Sequence, residues 1–165
     1  MVLVLSLSLV ACGESEPKLV KMTFGNITLS APDVLGAVEE REGVYVSSGP
    51  NSSLSVIPAM EIDLLPTDWD ESFAGEAIEL LYSATYSDIE QVTFQGDLDL
   101  NGNTAVYIAF NGTNASGEKR LVHTVRLFNS DITEQYMISL IHAVDDKLFT
   151  DEMNSQIINS IALGE

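Results

Sequence analysis

Residues 96–103 read Gly96-Asp97-Leu98-Asp99-Leu100-Asn101-Gly102-Asn103. Asp97, Asp99, Asn101 and Gly102 spell the opening of an EF-hand-type calcium loop, which continues to a bidentate glutamate at its twelfth position. That position, counted from Asp97, is Ile108. The flanks, Val92-Thr93-Phe94 and Ala105-Val106-Tyr107-Ile108-Ala109-Phe110, are rich in strand formers, where a calcium loop needs helices. Asn-Gly between two such runs is a hairpin signal, because a type I′ turn needs positive φ at both central residues. The stretch therefore reads as a strand entering a tight turn, with Asp97 and Asp99 on one face and Leu98 and Leu100 on the other.

Outward from this turn the apolar period is two. Ile89 to Leu100, Thr104 to Phe110, Arg120 to Phe128 and Glu134 to Ala143 are four strand runs joined by short links, a meander. In the third run Leu121, His123, Val125 and Leu127 share one face, while Val122 and Phe128 lie on the other. In the fourth, Tyr136, Ile138 and Leu140 oppose Met137, Ile141 and Ala143. Apolar residues on both faces require cover on both sides of the sheet.

Two helices are available for that cover. Thr67 or Asp68 is placed to cap one of four to five turns, with Phe73, Ala77, Leu80, Leu81 and Ala84 as its apolar stripe. The other is expected from Asp145 or Asp146 to about Ser160, with Asp145 as cap and Leu148, Phe149, Met153, Ile157 and Ile161 at helical spacing. Earlier strands are expected at residues 22–30, at Val44 to Ser47, and from Leu54 to Leu65, the last bulged or edge-placed because Pro58 lacks a ladder donor. The fold class is α+β: an α/β/α sandwich around an antiparallel sheet of six to seven strands.

The chain opens with the apolar run Met1 to Cys12, too short to span a bilayer and close to a signal-peptide core. Its end, Leu9-Val10-Ala11-Cys12, resembles the bacterial lipobox, in which small residues precede a cysteine that is lipidated and becomes the mature N-terminus. Cys12 is the only cysteine, so no disulfide competes for its thiol. No lysine or arginine precedes the run, so the signal is expected to be incomplete at its start. The expected organisation is residues 1–11 as lipoprotein signal, 12–20 as a polar tether, and 21–165 as one domain. Gly13 follows the cysteine in place of aspartate, which by resemblance to lipoprotein sorting implies the outer membrane, facing the periplasm.

Twenty-five acidic residues against 7 basic ones give a formal net charge of −18. Such a surface repels phosphate backbones, so nucleic acid is not an expected partner. Of catalytic and metal motifs, the chain carries no nucleophile elbow, phosphate loop, dinucleotide fingerprint or His-Glu-x-x-His pair. If the third hairpin turns near Ser130 to Ile132, His123 pairs near Ile138 and His142 near Lys119. That sets the histidines about 13 Å apart at the usual strand rise, too far for a shared metal. No catalytic, metal or cofactor residue is assigned, and Cys12 is the single site residue, for lipidation.

The helix from Phe73 to Tyr86, the strand Val92-Thr93-Phe94-Gln95-Gly96, the hairpin Leu100 to Ala105 and the closing run Ile157-Ile158-Asn159-Ser160-Ile161 resemble the PsbP/Mog-like fold. Within it they resemble the small exported DcrB-like bacterial proteins. The resemblance implies a binding, assembly or chaperone-type module with no shared active site. The function expected is thus a lipid-anchored envelope module that binds an unidentified protein or small molecule without catalysis and without a cofactor. A carboxylate-based envelope hydrolase and a calcium-binding module are the alternatives.

Overall fold

The computed structural model describes residues 17–164; Cys12 and residues 1–11, expected as a signal segment, lie outside them. Leu19–Phe24 (β1) and Ile27–Pro32 (β2) come first, then Glu39–Arg41 (β3), Val44–Ser48 (β4) and Ser52–Met60 (β5). A helix, Glu71–Tyr82 (α1), leads to Tyr86–Leu100 (β6), Asn103–Asn114 (β7), Lys119–Phe128 (β8) and Gln135–Ala143 (β9). Asp151–Asn159 (α2) and the short Ala162–Leu163 (β10) complete the order.

Seven strands form one sheet in the order β3-β4-β5-β9-β8-β7-β6, antiparallel throughout. The connection from β5 to β6 passes three intervening strands, and α1 covers one face on the way. Ala74 and Ile78 of α1, with Trp69 ahead of it, pack on Val106, Ile108, Phe110 and Val122. On the other face Ile157 and Ile158 of α2 join Phe24, Ile27 and Leu29 over Ala105, Val125, Leu127 and Ile138. Side chains as fully buried as Phe24, Phe110 and Phe128 each contribute about 1.5–3 kcal/mol. Both faces of the sheet are covered, as the two-sided apolar strands require.

One layer differs from expectation. Residues 22–30 are not one strand: Gly25, at φ 64, and Asn26 turn the chain back, so that β1 and β2 pair and β10 adds to β2 as a second, three-stranded sheet. A Cβ at Gly25 would lie 3.0 Å from the Tyr45 ring, so close packing as well as φ calls for glycine there. Leu19 and Val20, expected in the tether, already belong to β1.

The helices are shorter than their periodicity suggests. Pro66–Asp68 forms a separate 3-10 turn, and α1 starts at the Asp70 cap, whose carboxylate accepts from Phe73 N at 2.8 Å. Its buried stripe is Ala74 and Ile78, whereas Leu80 and Leu81 are 82% and 56% exposed. The cap of α2 is Thr150, not Asp145: its hydroxyl accepts from Met153 N at 3.2 Å, and Leu148 and Phe149 precede the helix as irregular chain. The run from Leu54 ends at Met60, with the register breaking between Ile57 and Met60 around Pro58, a bulge as its missing donor dictates.

The opening stretch is the β6–β7 turn. Asn101 and Gly102 have φ of 53 and 85, and Leu100 pairs with Asn103. Asp99 accepts from Gly102 N at 3.0 Å, and the Asn101 amide donates to the Ile161 carbonyl at 2.7 Å, tying the turn to the chain just beyond α2. These side chains are thus engaged in closing and anchoring a hairpin. Replacing Asn101 and Gly102 together by alanine should lower unfolding free energy by about 1 kcal/mol or more in urea titration. No atom lies within 4 Å of a Cβ at Gly102, so the loss there would come from backbone conformation; an unchanged midpoint would contradict the turn's role.

Candidate functional site

Three strands bring a file of aromatic rings to the face under α2. Tyr107 on β7 sits opposite Val125, and His123 on β8 sits opposite Leu140, with His142 two residues further along β9. Each ring is therefore the diagonal neighbour of the next, a spacing that long side chains bridge. The Tyr107 hydroxyl lies 2.8 Å from His123 Nδ1, His123 Nε2 lies 3.1 Å from His142 Nε2, and His142 Nδ1 lies 2.8 Å from the Ala143 carbonyl oxygen. Phe149 stacks on His142 at 4.8 Å and closes the file.

The expected 13 Å separation of the histidines is therefore wrong. The β8–β9 link runs through Asn129, whose side-chain oxygen accepts from Thr133 N and Glu134 N, and Ile132 adopts φ 50. This wider turn pairs His123 with Leu140 instead of Ile138 and His142 with Leu121 instead of Lys119. A slip of two residues leaves each side chain on its predicted face, which is why the facing pattern holds while the distance does not.

One carbonyl orders the protons of the whole file. The Ala143 oxygen can only accept, so His142 carries its proton on Nδ1 and offers Nε2 as acceptor. His123 must then carry its proton on Nε2, which leaves its Nδ1 to accept from Tyr107. Both histidines are neutral and of opposite tautomer. Burial, with His142 adding to it, pushes the His123 imidazole down to about 4. Burial also lowers His142, outweighing its bond to the Ala143 carbonyl. Tyr107 is pushed up to about 12, first by burial and then by the charge of Asp151.

Tyr107 and His123 form part of the wall of an open cleft of about 370 Å³ between β6, β7 and α2. Thr93, Gln95, Asp151, Asn154 and Ser155 supply most of its polar lining. Asn154 is 3% exposed; its amide nitrogen donates to the Phe149 carbonyl, which fixes the carboxamide's orientation and leaves Oδ1 without a donor. Asp151 is the only carboxylate in the lining and no lysine or arginine is present there. Paired-carboxylate hydrolysis needs two such groups. Neither histidine is free to act as a base toward Ser155, since each ring nitrogen of both is already hydrogen-bonded. A tetrahedral metal between the histidines would need further ligands, and no cluster of three or more His, Cys, Asp or Glu side chains suited to a metal occurs among the described residues.

A second buried polar group lies on the opposite face. Arg126 stacks on Trp69 at 4.7 Å, donates to Gln135 Oε1 at 3.0 Å and pairs with Asp63 at 3.6 Å. Gln135 in turn donates to the Asp63 carboxylate, and that bond is the main reason Asp63 is held below the usual carboxylate range. Arg126 and Gln135 are thereby partnered within the protein, the Trp69 indole N–H is left without an acceptor, and the group packs the edge of α1's layer. Tyr107, Asp151, Asn154 and Arg126 were not singled out from sequence; the signal for Tyr107 is a large polar ring between Ala105 and Ala109 on an otherwise small-residue face.

The architecture has counterparts among solved structures. Cyanobacterial PsbP from Synechocystis is 15% identical with a TM-score of 0.63, covering 94% of this chain and 98% of its own. The Ran-binding protein Mog1p of Saccharomyces cerevisiae is 12% identical with a TM-score of 0.58, covering 89% and 96%. The chain has the PsbP/Mog-like fold. No protein-family model and no curated protein sequence matches it, so the likeness is one of fold.

Two outcomes follow for the file. Nitrogen-15 NMR should find His142 protonated at Nδ1 and His123 at Nε2; two identical tautomers would refute the proton order. Because His123 has a folded pKa near 4, below the unfolded value of 6.5, the unfolded chain binds more protons between these values. Stability should be complete above about pH 6.5 and fall by roughly 1–3 kcal/mol as pH drops toward 4, and His123→Gln should flatten that slope.

Proposed function

We propose that the chain is a lipid-anchored binding or assembly module of the cell envelope, of the DcrB-like kind, that works without catalysis through the cleft over Tyr107. The observation carrying this is the state of the cleft's titratable groups. The histidine nitrogens are hydrogen-bonded inside the protein, and Asp151 stands without a second carboxylate. What the cleft offers is shape and hydrogen-bonding atoms, which are the means of recognition.

Anchoring would run through Cys12, whose acyl chains contribute about 0.8 kcal/mol per buried methylene. A polar segment from Gly13 would lead from lipid to β1, presenting the domain in the periplasm at the outer membrane. Among the described residues no helix is long and apolar enough to cross a membrane. The partner is proposed to be a protein or a small molecule; Mog1p, built on the same fold, is a Ran-binding protein, which supports the first.

Cys12→Ala should release the protein from the membrane fraction, and unchanged fractionation would overturn the anchor. Pull-down of the lipidated protein from its own envelope should recover a partner that is lost with Ser155→Trp, which fills the cleft from an exposed helix position. Equal recovery by both proteins would remove the cleft from the binding surface.

A further inference from the structure

We infer that the cleft over Tyr107 takes a cationic hydrogen-bond donor, an ammonium or guanidinium group. This rests on the cleft being the binding site. The proton order of the histidine file commits the Tyr107 hydrogen to His123 Nδ1, so what the phenol has left to offer a ligand is the acceptor capacity of its oxygen. Asn154 is fixed in the same sense. Its nitrogen serves the Phe149 carbonyl, and its oxygen, in a residue 97% buried, is an acceptor with no donor from the protein. A buried acceptor left unpaired is costly, which favours a donor arriving from outside.

Asp151, at the first position of α2, adds a negative charge to the same wall, and none of the lining residues carries a compensating positive one. Three residues of one lining thus carry acceptors of different kinds: phenol oxygen, carboxamide oxygen and carboxylate. An anionic or acceptor-only ligand would find no cation and would face Asp151. A group bearing several N–H donors and a positive charge would match all three, through charge-assisted bonds at Asp151 and neutral ones elsewhere. Such a group could be a lysine or arginine side chain of a protein or a free polyamine. The net charge of −18 would draw either toward the domain before the cleft selects it.

The test is NMR titration of the full chain at about 0.15 M salt, which screens diffuse attraction between exposed charges. The probes are blocked Gly-Lys-Gly and Gly-Arg-Gly peptides, spermidine, and blocked Gly-Gln-Gly as the neutral control. The cationic probes should shift Tyr107, Thr93 and Ser155 signals saturably and more tightly than the glutamine peptide. Asp151→Asn and Tyr107→Phe should each weaken them roughly tenfold, while Asp33→Asn, an exposed acid outside the cleft, should not. Tighter peptides would assign the ligand to a protein side chain, and tighter spermidine to a free polyamine; both outcomes support the inference. Cationic probes that bind no better than Gly-Gln-Gly, or that weaken equally with Asp33→Asn, would overturn it. Loss of the envelope partner with Ser155→Trp in that event would leave the cleft as the binding site and remove only its preference for cations.

Discussion

Strands β7, β8 and β9 are covered on both faces over most of their length. One side lies under α1 and Trp69, the other under α2 and the small sheet, and the organisation of polar groups in this protein follows from that double cover. A histidine or arginine on such a strand cannot reach bulk solvent as it would on a half-exposed sheet. It must find a partner within the protein or give up its charge. His123 and His142 do both, and Arg126 finds its partners by lying on Trp69 beside Gln135 and Asp63.

The same constraint explains why the histidine file is ordered. In water an imidazole can exchange tautomers freely, but a chain of buried rings ending on a carbonyl has only one neutral arrangement in which every contact is a donor facing an acceptor. The Ala143 oxygen sets it, and the consequence is read at the far end, at the Tyr107 hydroxyl on the cleft. A backbone atom on β9 thereby determines the hydrogen-bonding character of a surface three rings away. The cleft's character is thus decided by the sheet beneath it as much as by the residues facing solvent.

The second helix and the hairpin turn share a mechanical link. The Asn101 amide reaches the Ile161 carbonyl, and Ser160 Oγ accepts from Ser30 N at 2.7 Å, so the chain just beyond α2 is held both by the β6–β7 turn and by β2. Asn154 and Asp151 are carried on that helix. Their positions over β7 depend on contacts made at its other end, which gives the calcium-like spelling of residues 97–102 a structural purpose.

Much of the fold is legible in the sequence. Alternation in 120–128 and 134–143 identified strands covered on both sides, and Asn101-Gly102 identified the turn, because side-chain direction and positive φ are local properties that neighbouring residues encode. Helix limits were less legible: Leu80 and Leu81 continue an apolar period beyond the surface that α1 can reach, and Thr150 caps α2 although Asp145 has the same capping chemistry. The site itself was not legible. Whether His123 meets His142 depends on how many residues the Asn129 loop takes to turn, and a change of two residues in register moves a side chain about 7 Å while leaving it on the same face. Alternation along the strands thus settles which of their side chains face each covering layer, whereas strand register and the docking of α2 settle which buried polar groups touch and what they present to the cleft, because those depend on contacts between segments distant in the chain.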